Sequence, residues 1–154
     1  MAEQQSWSAV SAVIAICRDA EQGFRSAANA VNDANLKTIF EQYSAQRTRF
    51  TEELRVTVER AGGTVTDSSG VLGKVHAGWI ALKGALTGHS EHQILEETER
   101  GEDLSLKRYH EALQYQELPS EVRSLLQQQH SEVEAAHSRI KGLRDAAARA
   151  TSAG

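Results

Sequence analysis

Glu134 and His137 stand three residues apart in "EVEAAHSRI", residues 132–140. On a helix that spacing puts a carboxylate and an imidazole on one side. Carboxylate-bridged metal centres of four-helix bundles use this motif on two helices and single Glu residues from the other two. Oxygen and imidazole donors suit iron, manganese or zinc. Other polar residues interrupt the apolar stripes of the chain at comparable positions. They are Glu21, Gln46, Glu99, Glu102 and Gln129. A buried, unpaired carboxylate is costly, so inward-facing groups of this kind require partners.

The elements that would position them follow from periodicity. Apolar residues recur at three- and four-residue steps through most of the chain, the period of a helix. The first stripe contains Val10, Val13, Ile14, Cys17, Phe24, Ala28 and Val31, and ends at "VNDAN", where Asn32 or Asp33 can cap the next helix. The second contains Leu36, Ile39, Phe40, Tyr43, Phe50, Leu54 and Val58, and stops at Gly62-Gly63. Ser90 and Gln93 have capping-box spacing ahead of Ile94, Leu95, Thr98, Ser105, Leu106, Tyr109 and Leu113. Pro119 marks the last start, before Val122, Leu125, Leu126, Val133, Ala136, Ile140 and Leu143.

Short connections make helices one and two a hairpin, and helices three and four another. Residues 62–89 between them are far longer than a turn and include a short amphipathic stretch with Leu72, Val75, Trp79, Leu82 and Leu86. The expected fold is all-α, a ferritin-like four-helix bundle of two antiparallel hairpins joined by a long crossover with a short helix. Residues 1–150 read as one domain, and 151–154 as a flexible tail.

Folding each hairpin about its turn sets the heights. Glu21 falls level with residues 45–49, Glu102 with Glu134, and Glu99 with His137. The expected metal ligands are therefore Glu21, Glu99, Glu102, Glu134 and His137. Helix two departs from the pattern, because "QRTR" from Gln46 to Arg49 stands where Glu and His would be wanted. Arginine stays protonated and cannot ligate a metal. Arg49 can instead pair with Glu21 or Glu102, giving a polar core that needs no ion. His76 and Trp79 share one face of the crossover stretch and read as a cover for the bundle. Cys17 reads as a small packed hydrophobe.

Bulk properties narrow the function classes. The chain has 154 residues, is 40% hydrophobic and 25% charged, and contains one proline. A net charge of −4 offers no basic footprint for nucleic acid. A single cysteine excludes an internal disulfide and favours a reducing compartment. No apolar run reaches the roughly 20 residues that span a bilayer. "MAEQQSWSAV" lacks the features of a secretion signal, so the expectation is a cytoplasmic protein without membrane or nucleic-acid partners.

The segments "CRDAEQGFRSAANAV", "HAGWIALKGALTG", "ERGED" and "EAAHSRIKGLRD" resemble a family of small bacterial proteins described as ferritin-like four-helix bundles of unknown function. The resemblance spans about residues 8–145. It implies the ferritin-like fold and no established reaction. Its recurrent positions fall on Glu21, Phe24, His76, Trp79, Glu99, Gly101, Glu102 and His137, and it includes the Gln-Arg stretch of helix two. Two functions compete. One is a metal-binding bundle, an oxidase or iron-handling protein whose incomplete halves a homodimer would complete. The other is a non-catalytic, stress-associated protein that works through a protein partner, with Arg49 and Glu21 at the centre of a metal-free polar core.

Overall fold

The structure, a computed structural model, describes residues 2–66, 79 and 88–153, with side chains for 3–66, 79 and 88–150. His76, Leu72, Val75, Leu82 and Leu86 lie outside the described residues. Four helices account for nearly all of those described: α1 (Ala2–Ala30), α2 (Ala34–Arg60), α3 (Glu91–Leu113) and α4 (Ser120–Ala153). No strand occurs among them. Helix α4 continues to Ala153, past residue 150, where the small polar tail was expected to begin.

The helix ends are where the cap chemistry puts them. Asp33 accepts a hydrogen bond from the Leu36 amide at 2.9 Å, closing the first turn of α2. The Ser90 hydroxyl accepts from the Gln93 amide at 3.1 Å, and the Gln93 side chain accepts from the Ser90 amide at 2.9 Å. That is a complete capping box on α3. After α2 the chain turns at Gly62, whose φ of 82° suits a residue without a Cβ. The Arg123 guanidinium reaches back from α4 to the carbonyl oxygens of Leu113 and Tyr115. It thereby satisfies acceptors that the end of α3 leaves open.

Each helix packs on two neighbours: α1 on α2 and α3, and α4 on α3 and α2. The core has two halves. One gathers Trp7, Val10, Val13, Ile14 and Cys17 of α1 with Phe50, Leu54, Val58, Tyr109, Val122 and Leu126. The other gathers Phe24, Ala27 and Val31 with Leu36, Phe40, Trp79, Ile94, Leu95 and Ile140. The end of α2 therefore lies in the first half and the start of α3 in the second. No helix among the described residues is long and apolar enough to cross a membrane.

Candidate functional site at the bundle centre

Where the two core halves meet, a guanidinium is buried. Arg47 of α2 and Glu102 of α3 both have side-chain exposures of 0%. Arg47 Nη1 donates to Glu102 Oε1 at 2.6 Å, and Nη2 donates to Oε2. A third N–H, that of Nε, donates to Gln46 Oε1 at 3.0 Å. The guanidinium carbon lies 5.3 Å from the Phe24 ring centroid and 5.9 Å from that of Phe50, close enough for cation–π attraction. Burial acts to lower the Arg47 pKa, but the charge and hydrogen bonds of Glu102, with Cys17 and Tyr109 adding to them, move it upward. This pair is bidentate and flanked by aromatic rings.

One layer toward the amino-terminal end of α1 runs a second chain of hydrogen-bonded side chains. The Tyr109 hydroxyl donates to Gln129 Oε1 at 2.8 Å. Its one proton is then committed, so the Cys17 thiol is the donor in the 3.2 Å contact between Cys17 Sγ and the Tyr109 oxygen. Gln129 Nε2 donates to the Phe50 carbonyl at 3.3 Å and to Glu53 Oε1 at 3.2 Å. Burial pushes the Cys17 thiol up to about 11, against the opposing pull of Arg47. Burial also raises Tyr109 well above the usual phenol range, with Cys17 adding to the effect. A thiol this hard to ionise is a poor nucleophile. Together the two layers draw polar groups from all four helices.

The sequence-derived ligands do not converge. Glu102 is committed through both oxygens to Arg47. Glu21 sits on the side of the bundle, paired with Arg25 one turn on. Glu134 is 59% exposed and faces His130 Nδ1 at 3.3 Å along its own helix. Only Glu99 and His137 approach each other. His137 Nε2 lies 3.9 Å from Glu99 and 2.6 Å from Asp103, a residue outside the sequence-derived set. Arg144 occupies the other oxygen of Glu99. Among the described residues no group of three or more His, Cys, Asp or Glu side chains has a metal-holding arrangement. At the centre a cation, Arg47, lies on both oxygens of Glu102.

Two expectations for helix two need correction. Gln46 is half-buried rather than inward-facing, and Arg49 is 55% exposed, bonded to Glu132 at 3.2 Å. Arg49 does not meet Glu21 or Glu102. The inward face of α2 runs Phe40, Ser44, Arg47, Phe50 and Leu54. A four-residue step from Tyr43 reaches Arg47, whereas a three-residue step reaches Gln46. The bias against burying an arginine hides the correct choice. Gln129, by contrast, is inward as the stripe requires.

Fold and centre together define an all-helical four-helix bundle with an ion pair at its heart. Comparison with family models places residues 6–115 in DUF2383, a domain of unknown function. The chain belongs to that family. Comparison with curated proteins gave no match.

Proposed function

We propose that the protein is a ferritin-like helical bundle that performs no chemical step itself and acts through contacts with protein partners or a second copy. In this reading its polar centre determines the helix register. The observation that supports it is the bidentate Arg47–Glu102 pair, which takes up at mid-bundle the carboxylate a metal would need. A buried, bidentate pair rewards one alignment of α2 against α3 and penalises slipped ones. The high pKa of Cys17 accords with a thiol kept protonated in a cytoplasmic setting. The test combines elemental analysis of freshly purified protein, its mass in solution, and its melting temperature with and without a chelator. A stoichiometric metal whose removal lowers the melting temperature would overturn this reading.

A second reading places iron, manganese or zinc at the α3–α4 seam, on Glu99 and His137 with Asp103 assisting. It is supported by the imidazole nitrogen that faces both carboxylates. Arg144 would have to release Glu99 for an ion to enter. Glu21, Glu102 and Glu134 have no part in this reduced site. Retention of the metal after dialysis, and its loss in His137→Ala, would support it. Retention unchanged in that variant would exclude the site.

A further inference from the structure

Trp79 is completely buried, although it comes from the connection between the hairpins. Two helical glycines receive it. A Cβ on Gly23 of α1 would overlap Cε3 of the indole and lie 2.9 Å from Cζ3. A Cβ on Gly101 of α3 would overlap Cε2 and lie 2.7 Å from Cζ2. All four atoms belong to the six-membered ring, so α1 and α3 both close on that ring with bare backbone. A glycine inside a helix costs stability relative to alanine, and close approach of another group is the usual return. Phe24 meets the indole edge-on, with centroids 5.0 Å apart and planes at 63°. The indole N–H points to Ser105 Oγ at 3.4 Å. That hydroxyl also donates to the Gly101 carbonyl at 3.2 Å, which orients its lone pairs toward the indole.

We infer that Gly23, Phe24, Gly101 and Ser105 form a binding site for a planar bicyclic aromatic with an N–H donor, and that Trp79 is its tethered ligand. The features are those of a small-molecule site: an apolar slot closed by bare backbone on two helices and one oriented polar group. Tethering raises the effective concentration of the ring, so the site remains filled by its own chain. Nothing in this assignment depends on the Arg47–Glu102 reading, although Phe24 touches both sites.

Replacing the ligand tests the assignment. Trp79→Gly should open the slot, and free indole should then raise its melting temperature, increasingly with the logarithm of indole concentration above the dissociation constant. N-methylindole, without the N–H, should bind more weakly. Adding Gly101→Ala to Trp79→Gly should abolish the rescue. If Trp79→Gly does not fold alone, recovery of helical circular dichroism with indole is the equivalent readout. Neither stabilisation nor recovery, or equal rescue with Gly101→Ala, would overturn the inference. In the intact chain, Trp7→Phe leaves Trp79 as the only indole. There Gly101→Ala should shift its emission to longer wavelength and increase quenching by acrylamide. Unchanged emission and quenching would also overturn it.

Discussion

Arg47→Met, Glu102→Leu and the double variant test whether the interior pair is dry and coupled. Both side chains are fully buried, so removing either partner leaves a polar group without its counter-charge. Breaking such a pair costs about 3–5 kcal/mol. The singles should differ. In Arg47→Met the stranded carboxyl can take up a proton and become neutral. In Glu102→Leu the guanidinium stays charged at any accessible pH, so this variant should be the less stable. Arg47→Met also gives up the attraction to Phe24 and Phe50, which is worth roughly 0.5–2 kcal/mol, but methionine still occupies much of the space. For a chain of this size each kcal/mol shifts the melting temperature by about 2–4 °C, so the singles should fall by roughly 6–20 °C. The double variant, with no charge to bury, should return to within about 1–2 kcal/mol of the parent or exceed it. Urea unfolding and calorimetry on all four proteins give the cycle. Singles costing less than about 1 kcal/mol, the value for a solvated surface pair, would refute the burial argument. A double variant as damaged as the sum of the singles would refute the coupling. If the pair selects register, the double variant should also show broadened amide resonances despite its stability.

Cys17 should resist thiol reagents in the native protein at pH 8 and react only on unfolding, whereas rapid native labelling would contradict its raised pKa of about 11. The folded state holds this proton more tightly than the unfolded chain, so stability is full below about pH 9 and falls as pH rises toward 11. The loss is roughly 3 kcal/mol, and urea midpoints should show it flattened in Cys17→Ala, with Tyr109 acting in the same direction. Tyr109→Phe leaves Gln129 and the thiol without their shared partner and should cost about 1–3 kcal/mol, measured by urea unfolding. Ser90→Ala removes the α3 capping box and should cost about 1 kcal/mol, readable as a small drop in melting temperature. Glu134→Ala should change stability by less than about 0.5 kcal/mol, since its side chain is 59% exposed and pairs with His130 along its own helix, and a larger loss would assign it a role the geometry lacks.

Much of the fold was legible in the order of residues because helices are local. Step sizes in the apolar stripes, Asp33, the Ser90–Gln93 box and Gly62 each act within a few residues of themselves. The inward position of Gln129 and Glu102 follows from the same arithmetic. Arg47 was not legible, since one residue of phase separates it from Gln46 and burial of an arginine is stable only where a carboxylate meets it. That carboxylate lies 55 residues away. The Glu134–His137 motif shows the converse failure: the spacing is right for one helix, but the helix turns Glu134 to solvent. Spacing along a chain determines which side chains share a face. Which faces meet, and which charge neutralises which in the dry centre, depends on contacts between distant segments, and only the packed bundle decides it.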